Sequence, residues 1–302
     1  MRAKIIAAVA AAVFVCLAIP VLSLQFTPRC TDKVSLEYIG DQKPSIVEKP
    51  VVQLTADEKD GMYAGKVVTR MLDAEHGLKM GWMRFIVDAD PVSVWNVIAD
   101  VDHFAMEDPA FPATGPIGDK KRTFMPYVRE CLRCEIDGKP YLYQLLVMPL
   151  VSPRATAMLR CHDLNGFPWE SGWQAAPGKY CMDKSSPDVK KYLDEAVVIA
   201  KNTGAWRVSA LSPEFRRKAS DLNRTEVNYI VDTDPGGSVG KMTGLANAAQ
   251  GIALPKLAEL VRFHAPTWPT HMKKFHTPDQ NAEYDRLRGE YQKIYKPLFP
   301  GK

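Results

Sequence analysis

Between Met125 and Asp234 the chain presents one extended stretch after another without the regular strand–helix alternation of a doubly wound protein. The stretches are MPYVRECLRCEI (125–136), YLYQLLVMPL (141–150), RATAMLRCHDL (154–164), EAVVIAKN (195–202), GAWRVSAL (204–211) and RTEVNYIVDTD (224–234). Most are rich in β-branched or aromatic residues and are bounded by turn formers, as strands are. Parallel neighbours need a crossover of about a dozen residues, usually a helix. A succession of strands without such crossovers is expected to pair antiparallel. Asp137-Gly138, between the first two stretches, is a strong hairpin signal. The Gly-, Pro- and Trp-rich stretch 165–180 reads as a loop.

Helices are expected on either side of this run. Thr55 caps a helix read over TADEKDGMYAGKVVTRML (55–72), with Asp57 and Glu58 in its first turn. GWMRFIVDAD (81–90) reads as a strand. Asp90 then caps a helix that starts at Pro91 and carries the apolar stripe Val94, Trp95, Ile98 and Val101. After Gly236-Gly237 a long helix carries Met242, Leu245, Ala249, Ile252, Leu257, Leu260 and Val261, and Pro255 is expected to kink it. A tail follows, in which Tyr284, Leu287, Tyr291 and Ile294 form a second stripe. The order predicts an α+β protein: an antiparallel sheet with a long C-terminal helix lying across it.

PGGSVGKM (235–242) has the glycines and lysine of a phosphate-binding loop but fails that pattern at two fixed positions. Pro235 stands where the first glycine belongs, and Met242 where the hydroxyl belongs. It reads instead as a strand end at Asp234-Pro235, a backbone reversal at Gly236-Gly237 and a helix N-cap at Ser238.

At the N-terminus, Arg2 and Lys4 precede the apolar run Ile5 to Leu24, 20 residues and long enough to span a bilayer. An export signal, with Val21 and Ser23 before the cleavage point, and an uncleaved anchor both fit. Either places the body outside the cytoplasm. The formal net charge is only +4, and no basic block with interleaved aromatics is present, so nucleic acid is not an expected partner. Export permits disulfides. Of the six cysteines, Cys131 and Cys134 form a C-x-x-C on a strand, a poor chelating geometry. Cys161 and Cys181 flank the Trp-rich excursion and could staple it. The chain divides into a signal or anchor (1–24), a tether (25–54), a domain (55–265) and a C-terminal extension (266–302).

Four stretches in order resemble the StAR-related lipid-transfer (START) domains of the helix-grip fold. VDADPVSVWNVIADVDHF is similar to the family's first strand and the helix behind it. MPLVSPRATAMLR is similar to its P-x-x-x-x-R strand entry, with Ala155 where an acidic residue is usual. GAWRVSAL and VNYIVDTDPGGSVGKMTGLANAAQGIALPKLAELVRF are similar to its last strands and C-terminal lid helix. The resemblance implies a hydrophobic cavity for one lipid (a sterol, phospholipid or fatty acid), no cofactor, transfer at a membrane surface, and a lid helix. Met242, Leu245, Ala249, Ile252 and Ala253 would face inward. On the strand YVRECLRCEI, Val128, Leu132, Cys134 and Ile136 share a face that Glu130 interrupts. A charged contact between Glu130 and Arg154, Arg160 or Arg207 is a candidate for orienting a lipid hydroxyl or headgroup; a rim residue or a plain cross-strand pair is the alternative.

Signs of catalysis are thin. The histidines His76, His103, His162, His264, His271 and His276 sit in no catalytic or metal-binding spacing. Because the helix-grip fold also includes aromatic cyclases, an enzyme acting on a hydrophobic ring stays open, with Glu130 as its one nameable acid. A partner-binding module using the 284–294 stripe stays open as well.

Overall fold

The computed structural model describes residues 52–74, 78–101, 104–105, 125, 127–136, 139–147, 151–163, 168–175, 181, 185–267, 270 and 277–295. The expected anchor and cleavage site and the tether up to residue 51 lie outside these residues, as do Cys16, Cys30, His76, His103, His271 and His276. Among the described residues, no helix is long and apolar enough to cross a membrane.

Helix α1 (Ala56–Tyr63) starts at a capping box, Thr55 and Glu58 bonding reciprocally. It is much shorter than the sequence pattern suggests. The chain turns at Gly65 (φ 97°) and continues as strand β1 (Val68–Asp73). Left-handed glycine ends a helix readily, and the valines that follow favour a strand. Strand β2 (Lys79–Val87) leads to α2 (Pro91–Ala99), whose first N–H groups at Val92 and Ser93 donate to Asp90 Oδ1, each at 3.1 Å.

Next come β3 (Val128–Ile136), β4 (Lys139–Leu146), β5 (Arg154–Asp163) and β6 (Trp169–Ala175). A short helix α3 (Lys190–Leu193) precedes β7 (Val197–Val198), β8 (Lys201–Ala210) and β9 (Thr225–Asp234). The helices α4 (Gly237–Lys241), α5 (Thr243–His264) and α6 (Pro278–Tyr295) complete the order. Strand β6 is the largest departure from the sequence reading, which leaves that stretch a loop. Its glycine and flanking proline hide a strand buried on both faces.

The nine strands among the described residues form one open sheet, with the path β1-β2-β9-β8-β6-β5-β4-β3. Every pairing along that path is antiparallel, and β7 runs parallel to the start of β5, where β6 has already ended. This confirms the α+β reading, a sheet gripping a long C-terminal helix.

The two faces have different coverings. On the inner face, α2 and α5 pack over the principal core, which includes Phe85, Trp95, Trp169, Trp206, Val227, Leu254 and Val261. On the outer face, Met62 of α1 and Phe215 cover Met80, Trp82 and Ile230. Cys181, Val189 and the residues of α3 cover Tyr143, Leu145 and Ala155. A disulfide joins Cys134 to Cys181, so Cys181 does not pair with Cys161. Cys131 carries a thiol.

Asp234, Gly236 and Gly237 build the turn into the last helices. Asp234 Oδ1 accepts from Gly236 N–H at 2.9 Å. Gly236 has φ 70°, and a Cβ there would lie 2.4 Å from the Val198 carbonyl oxygen. Ser238, expected as the N-cap, falls inside α4, and the helix breaks at Met242 before α5 begins. Pro255 lies within the continuous α5. The carbonyl it leaves without an N–H donor belongs to Gly251, an exposed residue.

Candidate ligand-binding cavity

A cavity of about 240 Å³ lies between the inner face of the sheet and α5. Strand alternation decides which residues reach it. From β4 these are Leu142, Gln144 and Leu146; from β5, Arg154, Met158 and Arg160; from β6, Trp173. Strands β8 and β9 add Asn202, Trp206, Tyr229, Val231 and Thr233, and α5 adds Gln250, Ala253, Leu254 and Leu257. Trp206 and Tyr229 pack with ring centroids 4.3 Å apart, and Trp173 lies 5.7 Å from Tyr229. Burial pushes the Tyr229 hydroxyl well above the usual phenol range. Trp173 Nε1 donates to Asn202 Oδ1 at 3.0 Å. Trp173 fits because its strand neighbour is Gly204: a Cβ there would lie 2.2 Å from the indole.

The two arginines on β5 differ in surroundings. Arg160 donates to Ser171 Oγ at 2.8 Å and to the Ile98 carbonyl at 3.3 Å, tying β5 to α2. Arg154 is 2% exposed. Its Nη1 donates to the carbonyls of Ser152 (2.5 Å) and Pro153 (3.3 Å), while Nε is buried without an acceptor. Burial lowers the Arg154 guanidinium from its ordinary value.

Glu130 does not reach the cavity. A register shift between Val128 and Glu130 reverses the alternation of β3. Val128 therefore lines the cavity, while Glu130, opposite Leu145, turns to the outer face with Leu132 and Cys134. Its Oε1 accepts from Ser186 N–H at 2.7 Å, and among the described residues no arginine pairs with it. Arg207, also considered as its partner, points outward and donates to Glu170 at 2.7 Å. Burial, with the Glu130 charge as a smaller cause, raises the nearby Tyr143 hydroxyl.

On α5 the inward stripe is shifted relative to the expected one. Ala253 faces the cavity with Gln250, Leu254 and Leu257. Met242 and Ile252 face outward instead, 50% and 65% exposed. Met242 sits at the break between α4 and α5, and Ile252 lies on the helix face opposite the sheet. The side chains of Leu245, Ala249, Tyr284, Leu287, Tyr291 and Ile294 lie outside the described ones. The sequence pattern missed the aromatic wall, although the four-residue spacing of Trp169 and Trp173 is a signal that both share one strand face. Among the described residues, no cluster of His, Cys, Asp and Glu could hold a metal ion.

No protein-family model matches the chain, and no curated protein does. Among solved structures, it is similar to START-type domains. Human STARD10 matches at a TM-score of 0.49 and 14% identity, over 73% of this chain and 78% of that one. A STAR-related lipid transfer protein fragment from Xanthomonas axonopodis matches at 0.45 and 18%, over 67% and 93%. The di-domain aromatase/cyclase StfQ of the steffimycin biosynthetic pathway matches at 0.36 and 14%, over 62% and 45%. With TM-scores below 0.5, these likenesses bear no functional weight. The fold rests on the chain's own strand order and helix packing.

Proposed function

We propose that the protein binds one lipid in the cavity, with α5 as lid, and carries it between membranes or to a partner. The carrying observation is an aromatic and aliphatic cavity roofed by a long helix. The C-terminal half is pinned: Ala258, Leu260 and Val261 are buried, and Arg262 donates to the carbonyls of Ile86 (2.9 Å) and Gly65 (2.6 Å). The other half begins at the Met242 break, exposes Gly244, Ala248, Gly251 and Ile252, and meets the sheet where Asn247 Oδ1 accepts from Lys79 N–H at 3.1 Å. A lid hinged at its C-terminal half would open at this end. Arg154 and Ala253 are the proposed ligand contacts carried over from the sequence reading. Burial of apolar ligand surface, about 25 cal/mol per Å² before ordering costs, would supply most of the affinity. The proposal includes export, with residues 5–24 as signal or anchor, and a membrane surface as the site of loading. A ring-cyclising enzyme loses the acid assigned to it, because Glu130 faces away from the cavity.

The test is transfer of a fluorescent single-chain lipid from donor to acceptor vesicles. The wild-type chain should accelerate it. Ala253→Trp, which fills the cavity from the lid, should abolish the acceleration while the circular dichroism spectrum stays unchanged. Undiminished transfer by a folded Ala253→Trp protein refutes the cavity as the carrier site.

A further inference from the structure

The lining of the cavity is unbalanced in charge. It includes two guanidinium groups and, among its described residues, no carboxylate. Arg154 and Arg160 stand six positions apart on β5, about 20 Å at the rise of a strand, so they do not share one small anion. Arg160 is engaged with Ser171 and the end of α2. Arg154 has only backbone carbonyls on Nη1, and its Nε is buried without an acceptor. Two residues further along the same strand face, the fully buried Thr156 hydroxyl also lacks a partner. Cations on the outer face are treated differently: Arg84 meets Glu226, Arg207 meets Glu170 and Lys201 meets Asp232. A buried cation without a counter-charge is costly, and evolved interiors pair such groups.

We propose that the bound molecule is a compact, single-chain amphiphile with one acidic group, and that this carboxylate or phosphate pairs with Arg154. The inference rests on the cavity being a ligand site. Size fits a compact body: about 240 Å³ lies just below the roughly 300–1,000 Å³ common for ligand pockets. Guanidinium offers Nε and an Nη in one plane, a fork that matches either oxyanion.

The test titrates the delipidated full chain with palmitate, hexadecyl phosphate and 1-hexadecanol by calorimetry. At least one anion should bind about 10- to 100-fold more tightly than the alcohol, as a charge-assisted contact requires. The tighter anion identifies carboxylate or phosphate. Arg154→Gln should erase that preference and leave the affinity for the alcohol within about twofold. Equal binding of alcohol and anions by the wild-type chain overturns the acidic-group inference and leaves the lipid cavity standing. Failure of all three to bind, with cholesterol and a diacyl phospholipid also excluded, overturns the cavity reading and this inference with it. The wild-type comparison needs no variant, so a misfolded Arg154→Gln protein does not blunt the test.

Discussion

Strand β3 is an edge strand, paired on one side by β4 and held from the outer face by the Cys134–Cys181 disulfide. The bridge spans a sequence separation of 47 residues, which includes β4, β5 and β6. Cross-linking a loop of that length removes about 14 cal/mol/K of chain entropy from the unfolded state, or about 4 kcal/mol at 25 °C. Strain and residual unfolded-state structure reduce such values, so a loss of about 2–4 kcal/mol is expected for Cys134→Ser. With urea m-values of about 1–3 kcal/mol/M, the unfolding midpoint should fall by roughly 1 M or more. Equilibrium urea unfolding, with and without reductant, measures this directly. Reductant should lower the wild-type midpoint by at least the amount that Cys134→Ser does. A wild-type midpoint unaffected by complete reduction would refute the assignment of β3 as a strand stapled from outside.

Other consequences are equally direct. Glu130→Ala removes the acceptor for Ser186 N–H and should lower stability by about 1–3 kcal/mol without changing lipid affinity; a selective loss of affinity would return Glu130 to the cavity. Gly204→Ala places a Cβ 2.2 Å from the Trp173 indole and 2.6 Å from the Ile230 carbonyl oxygen, and should cost about 1–3 kcal/mol as Trp173 is displaced. Quenching of tryptophan emission by a bound ligand should weaken in the same variant. Asp221 is fully buried, and burial alone would raise its pKa, but donors from Arg217 N–H, Lys218 N–H and the Tyr63 hydroxyl, with Arg224, hold it below the ordinary value. A depressed carboxylate stabilises the fold above its unfolded pKa, near ~4, and loses that contribution as pH falls through the lowered value. Asp221→Asn should therefore flatten the decline of the thermal midpoint below about pH 4; an unchanged acid limb contradicts the account.

Patterns that alternate or repeat over many residues were legible. The antiparallel sheet followed from successive strands without crossovers, and the long helix from its apolar spacing. The turn at Asp234-Pro235-Gly236-Gly237 followed from residues suited to positive φ. Local devices that change a period were not legible. One extra residue in β3 puts Val128 on the inner face while Glu130, Leu132 and Cys134 share the outer one, and no composition signal marks it. Gly65 ends α1 early, converting the expected second half of a helix into β1. Strand β6 is central, so Glu170, Ser171 and Gly172 are buried beside the tryptophans and no polar-apolar alternation survives. The inward stripe of α5 depends on how the helix is rotated against the sheet. Ala253 reaches the cavity, while its neighbour Ile252 faces solvent. Cysteine pairing depends on which strand Cys181 lies against, which spacing along the chain does not reveal.

The most direct measurement is native mass spectrometry of the full-length protein purified from cells, followed by extraction of whatever remains bound. The account predicts a single species heavier than the polypeptide by one single-chain, acidic lipid, lost on mild activation and absent from Ala253→Trp. A protein that emerges at its bare polypeptide mass, and stays there after incubation with lipid vesicles, would contradict the claim that this cavity holds a lipid.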